Sequence, residues 1–277
     1  MEYQELVPWI GCSHCHMPTF ATVSHHDLLA IQDGLRAQLR GTSTLEEAAR
    51  HGVQALCRAF SGDVVLARLF LTMPFGRLPA DLHRAAWNVV EAQSLQAQMT
   101  PETPVLALLA TCGTRREWCN RRSSQGHAAI PLSSRSFVDS IPMVARMLQD
   151  MGIDLGLKLE NESVLVQKIL GAGWVGLFYV DDARSARDDL GRRVVPAVDF
   201  VEEHGIRTVF GLGKAYGNGS IASFVVFTNK LLPRRQIESL VPYVNLFMAS
   251  TFDLMRRGEI FEGLPDGAAA ERSSLPT

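Results

Sequence analysis

Cys12-Ser13-His14-Cys15-His16 is the densest run of ligand-forming side chains in this sequence. Two thiols two residues apart, followed at once by histidine, make the C-x-x-C-H pattern of c-type haem attachment. In that chemistry each sulfur forms a thioether to a vinyl group and His16 gives an axial nitrogen. The same residues suit a Zn²⁺ or Fe ion. Cys12 and Cys15 would then supply thiolates, with nitrogen from His14, His16, His25 or His26 completing a tetrahedron. The plain alternative is a reduced cysteine pair in an irregular arm, because Pro8, Gly11 and Pro18 interrupt any period there. Covalent haem attachment usually follows export. The opening Met1-Glu2-Tyr3-Gln4-Glu5 is acidic and lacks the basic and apolar regions of a signal peptide. No strand precedes the pair, which sets it apart from a thioredoxin-type redox site.

A second concentration of chemistry runs from Arg115 to His127. Arg115, Arg116, Arg121 and Arg122, with Ser, Asn and His127, suit a phosphate or carboxylate, since the guanidinium fork matches those anions. Trp118 either stacks on a planar ligand or anchors the loop in the core. The bland reading is a solvated or salt-bridged arginine cluster, with His127 hydrogen-bonded and structural. Cys57 reads as a packed thiol. Cys112 and Cys119 flank the loop and can meet in space, but their spacing alone does not pair them.

A quieter feature is a strand face almost bare of side chain: Val209, Gly211, Gly213 and Ala215 alternate onto one side. Glycine within a strand marks close approach by a ligand or by another backbone, here a helix. The string is no dinucleotide fingerprint, because Tyr216 stands where the third glycine belongs and a strand follows. Ala215 after Gly213-Lys214 rules out a P-loop. No Ser/His/Asp order, zincin motif or kinase signature is present, and acidic pairs such as Asp181-Asp182 lie in charged, solvated runs. These absences point away from an enzyme.

The elements that hold these residues can be read from period and punctuation. A helix starts near Ser24 and ends at Gly41. A second opens with the cap Thr44-Leu45-Glu46-Glu47 and carries Leu45, Ala48, Ala49, Val53, Leu56 and Phe60 at helical spacing. Strands are expected over 63–73, 104–112, 127–132, 174–180, 207–216 and 220–228, and helices over 79–96, 136–151 and 196–204. Residues 155–170 fit either helix or an extended connection. Pro142 and Pro242 each imply a late start or a kink in their helices. Gly217-Asn218-Gly219 favours a primed hairpin turn. The last strand is apolar on both faces, as a central strand covered twice should be. A closing helix then carries Ile237, Leu240, Val241, Val244, Phe247, Met248, Phe252 and Met255 in a broad apolar band.

With 277 residues the chain can bury a large core, and a net charge of −2 makes no electrostatic case for nucleic acid or a membrane surface. No apolar run approaches the ~20 residues that span a bilayer. Five cysteines, an odd count, fit reduced thiols in a cytoplasmic protein better than a disulfide framework.

From Thr42 to about Met255 the chain resembles the GAF family of small-ligand sensor domains. The likeness rests on three stretches. Thr44-Leu45-Glu46-Glu47-Ala48-Ala49 with Val53-Gln54-Ala55-Leu56 is similar to the family's entry helix. Asp63-Val64-Val65-Leu66-Ala67-Arg68-Leu69-Phe70-Leu71 is similar to its first strand. Ser223-Phe224-Val225-Val226-Phe227-Thr228 with Arg235-Gln236-Ile237-Glu238-Ser239-Leu240 is similar to its last strand and exit helix. The resemblance implies an α+β fold, GAF/PAS-like, with a central antiparallel sheet flanked by helices. It divides the chain into an arm with its helix (1–41), a GAF-like domain (42–258) and a tail (259–277). It also implies a cytoplasmic sensor binding a small-molecule ligand between the face of Gly211 and Gly213 and a cover bearing Arg115, Trp118, Arg121, Arg122 and His127. A homodimer through the C-terminal helix and a separate output protein complete that picture. The competing readings are a haem- or metal-dependent redox enzyme and an interaction module without ligand.

Overall fold

The computed structural model describes residues 18–124, 126–152 and 176–263. The Cys12–His16 cluster, the 155–170 segment, Trp174 and the end of the tail lie outside the described residues. Six strands form one antiparallel sheet: β1 (Val64–Pro74), β2 (Pro104–Gly113), β3 (Ala129–Pro131), β4 (Gly176–Val180), β5 (Val209–Ala215) and β6 (Ile221–Thr228). Their spatial order is β3-β2-β1-β6-β5-β4. β6 lies between β1 and β5 and is buried on both faces, as its two-sided apolar pattern requires. The fold is α+β.

One face of the sheet is covered by α1 (His25–Leu39), α2 (Leu45–Ala59), α3 (Ala80–Glu91) and α8 (Val241–Arg257). Ser24 and Asp27 form a capping box at the start of α1. Thr44 Oγ1 accepts the Glu47 N–H at the start of α2, while the Glu47 carboxylate accepts from Ser43 N–H at 2.8 Å. α2 and α8 close on the sheet at Gly52. A Cβ there would stand 3.3 Å from both Phe224 and Phe247, and the Gly52 carbonyl accepts from Tyr243 Oη at 2.6 Å. Phe20 stacks on Phe60 at 4.0 Å and its N–H donates to Asp63 Oδ2, while α1 packs on α2 and α8.

The other face carries α4 (Arg135–Asp139), α5 (Pro142–Asp150), α6 (Val198–Glu203) and the arginine loop after β2. The single helix expected over 136–151 is two helices, because Pro142 takes the first turn of a new helix, where its missing N–H costs nothing. The closing helix is divided in the same way. α7 (Arg234–Glu238) ends before α8, which opens with Pro242 in its first turn.

The hairpin turn is a correction to the primed form expected. Positive φ falls at Gly219 (86°) and not at Gly217 or Asn218. Tyr216 C=O accepts from Gly219 N–H at 2.9 Å, and Tyr216 N–H donates to Ser220 C=O. This is a three-residue loop with a left-handed glycine at its end. Asn218 Oδ1 holds the Ser220 N–H at 3.1 Å, which fits asparagine without left-handed backbone.

Candidate functional site

On the second face, strand register sets side chains in rows. One row reads Thr111, Arg68, Val225, Gly211, Phe178 from β2 to β4. The next reads Leu108, Phe70, Ser223, Gly213, Gly176. Adjacent strands lie about 4.8 Å apart, so Arg68 and Gly211 are about 10 Å apart on one surface. These rows sit among Leu66, Phe70, Leu106, Leu108, Ile130, Phe178 and Val225, all buried.

The bare glycine patch has an occupant. Met151, at the end of α5, lies over β4 and β5. A Cβ on Gly213 would meet its Sδ at 3.0 Å, one on Gly211 its Cε at 3.4 Å, and one on Gly176 its Cγ at 2.8 Å. Three glycines from two strands thus form a pit for one flexible thioether. Gly152 follows with φ of 71°, and its N–H donates to Gln149 C=O, ending the helix over the pit. Of the two occupants weighed from sequence, a helix end is the one in place.

Arg68 is a buried charged group in these rows. It stands in the middle of β1 at 9% exposure. Nη1 donates to the His127 carbonyl at 3.3 Å and Nη2 to Ser124 Oγ at 2.8 Å. Burial pushes its pKa down to about 10, so it remains charged at neutral pH. Partial burial and then the Arg68 charge lower the pKa of His127, although the residue as a whole is exposed. Beside Arg68, Thr111 is 2% exposed, and its Oγ1 has no hydrogen-bond partner among the described residues. Ser223 is buried too, with its hydroxyl 3.9 Å from Met147 Sδ.

The arginine loop is pinned by contacts that take different arginines to different places. Trp118 is an anchor. Its ring meets Phe200 of α6 at 5.6 Å and His204, just past the end of α6, at 4.8 Å, both edge to face. A Cβ on Gly113 would lie 2.8 Å from its Cε3, so glycine there lets the indole close onto β2. Arg115 pairs with Glu203 on α6 and lies 5.6 Å over the Trp118 ring. Arg121 points away from this face. It is 7% exposed and bonds Glu46 of α2 and Asp81 of α3, both at 2.5 Å, with Phe261 beneath its guanidinium. Glu46 Oε2 also accepts Glu262 N–H, so Arg121 ties two helices to the segment after α8. Arg122 is exposed, 3.9 Å from Asp81. The loop therefore brings Ser124 and His127 to Arg68, but neither Arg121 nor Arg122 to the Gly211–Gly213 face.

Sequence reasoning passed over Arg68, Thr111 and Met151. Arg68 had a legible signal, since it is the one charge alternating with Leu66 and Phe70 in an apolar strand. Among the described residues no group of three or more His, Cys, Asp or Glu side chains is placed to hold a metal, and no helix is long and apolar enough to cross a membrane.

Compared by sequence, the chain matches no protein-family model and no curated protein. Compared by structure, it is similar to a phycoerythrobilin-bound GAF domain from a cyanobacterial phytochrome. The TM-score is 0.44 and the identity 11%, covering 84% of this chain and 98% of that one. It is also similar to the chromophore-binding domain of a bacteriophytochrome from R. palustris, at TM-score 0.42 and 8% identity over 84% of this chain and 64% of that one. A third is an N-acylhomoserine lactone dependent LuxR family transcription factor from Burkholderia cenocepacia, at TM-score 0.40 and 12% identity, covering 84% and 98%. The fold class rests on the strand order and register described above, and no residue role passes from these proteins to this chain.

Proposed function

We propose that this chain is a GAF-like sensor or regulatory protein that binds a small ligand carrying an anionic group. The ligand lies between the sheet row of Thr111 and Arg68 and the cover made by the arginine loop. The observation that carries the reading is Arg68, a guanidinium nine-tenths buried in an apolar sheet face and bonded to loop oxygens. A guanidinium held at that position presents the planar fork that matches a carboxylate or phosphate. The Thr111 hydroxyl beside it, buried and without a hydrogen-bond partner among the described residues, supports the same reading. Arg115, Trp118 and His127 belong to the cover.

The test is thermal shift and calorimetry against a panel of carboxylates, from small aliphatic acids to propionate-bearing linear tetrapyrroles. Wild type should bind at least one member, and folded Arg68→Met should lose at least tenfold in affinity. Equal affinity in Arg68→Met, or no binding by wild type across the panel, would sink the proposal.

The assembly reading goes with it. We place a homodimer on α1 and α8, whose Leu29 and Phe252 are 46% and 49% exposed, and pass the signal to a separate output protein. Cys57, Cys112 and Cys119 are free thiols, which supports a reducing, cytoplasmic setting. The haem, Zn or Fe reading of Cys12, His14, Cys15 and His16 rests on sequence alone. An absorption spectrum with metal analysis of the purified protein decides it.

A further inference from the structure

Three thiols converge where β2 runs into the arginine loop. Cys57 of α2 donates through its Sγ to the Cys112 carbonyl at 3.3 Å. Cys119 closes the short 3₁₀ turn Arg116–Cys119, and its Sγ lies 3.5 Å from the Gly113 carbonyl and 3.6 Å from that of Arg115. The turn thus folds back onto the end of the strand that carries Cys112. Cys119 is exposed, whereas Cys57 and Cys112 are half-buried.

We propose that Cys112 and Cys119 are a redox-modification site, which a hydroperoxide converts to a disulfide that fastens the arginine loop to β2. The electrostatics agree with that assignment. Hydrogen bonding from Cys57 lowers the Cys112 thiol; burial opposes this, and the Cys119 thiol and the Arg58 charge assist it. The Cys112 thiol is thereby held below the ordinary thiol range, which raises its thiolate share at neutral pH. Cys57 and Cys119 are both shifted upward and stay protonated.

The chemistry balances in two steps. The Cys112 thiolate attacks one oxygen of the hydroperoxide. An S–O bond forms, the O–O bond breaks, and the alcohol leaves after taking a proton from solvent. Cys119 sulfur then attacks the sulfenic sulfur; the S–S bond forms, the S–O bond breaks, and hydroxide leaves with the Cys119 proton as water. Two thiols lose two electrons and two protons, and the hydroperoxide becomes alcohol and water. The partner is Cys119 rather than Cys57, because Cys119 is the exposed thiol and sits in the short turn that folds back onto the end of β2. This inference is independent of the ligand reading.

The experiment treats the full chain with hydrogen peroxide at neutral pH, blocks remaining thiols with iodoacetamide, and maps the tryptic peptides by mass spectrometry. Arg115 and Arg116 lie between the two cysteines, so trypsin separates them and a Cys112–Cys119 link appears as a joined peptide pair. That pair should form reversibly with dithiothreitol and vanish in Cys119→Ser, in which Cys112 is instead trapped as sulfenic acid by dimedone. A link from Cys112 to Cys57, or none at a peroxide dose that fully oxidises the Cys12–Cys15 pair, overturns the proposal.

Discussion

Arg68 and Arg121 are equally hidden and do opposite work. Arg121 meets two carboxylates from α2 and α3, which arrive from 75 and 40 positions away in the chain. Nothing local in the sequence reveals those partners. An arginine in a polar loop therefore looked like a ligand contact when it is an internal tie, whose loss would strand Glu46 in the core. Arg68 is bonded to a carbonyl and a hydroxyl of the loop above it, and its position in an apolar alternation was readable at the outset. The exposed pairs, such as Arg36–Asp33 and Arg256–Asp253, contribute little by comparison. The imidazoles give a titration that can be measured. Burial lowers the His51 pKa; Glu47 opposes this, and Arg50 and Arg58 reinforce it. His127 is lowered as well. A histidine whose folded pKa lies below its unfolded value of about 6.5 binds fewer protons when folded, so stability is full above that pH and falls as pH drops through it. The urea midpoint should be lower at pH 5.5 than at pH 7.5, and His51→Gln should shrink that difference. An unchanged difference in the variant would remove His51 from the account.

Among the elements, the Met151 pit is the joint that fixes where α5 ends on the sheet. Truncating a buried methionine typically costs about 2–5 kcal/mol, and overfilling a packed site about 1–3 kcal/mol. Gly213→Ala alone forces Met151 Sδ and Cε to give way, but in a Met151→Ala background the new Cβ enters vacated space. The two substitutions should thus couple, with the double variant more stable than the sum of the singles predicts by about 1 kcal/mol in chemical denaturation. Simple additivity would show that the pit is not the joint. Gly176→Ala is the harsher change, since its Cβ would also lie 3.1 Å from the Met151 Cα, which is backbone. The elements themselves were largely legible. Caps, strand alternation and the two-faced β6 are local patterns, and they placed β1, β2, β5, β6, α1 and α2 within a few residues. The two breaks were anticipated only as irregularities, because proline marks where a helix must change without saying whether it bends or restarts. The glycine face was legible as a vacancy. Its filler was not, since Met151 and Gly213 become neighbours only when α5 folds over the sheet.

At the scale of the whole molecule, the sheet separates two layers of different character. The α1–α2–α8 layer is closed by aromatic packing, with Phe224 edge-on to Phe247 at 5.2 Å and to Tyr243 at 5.9 Å. The opposite layer holds the buried guanidinium, the buried Thr111 hydroxyl and the loop that the thiols flank. A ligand in the second layer can reach a partner through the first only if the sheet or its helices move together, and β6, bonded on both sides, is the rigid element between them. Two of the apolar residues left outward on the first layer, Leu29 of α1 and Phe252 of α8, are where a second copy would seat. An interface of that kind needs about 800 Å² from each partner, more than two side chains supply, so neighbouring exposed positions of both helices must join it. Light scattering after size exclusion should then give twice the chain mass at micromolar concentration. Phe252→Glu with Leu29→Glu should shift it to a single chain without loss of helical circular dichroism, because neither side chain contributes to the core. A wild-type chain that runs as a monomer over that range would remove the dimer and leave the signal to pass through the separate output protein alone.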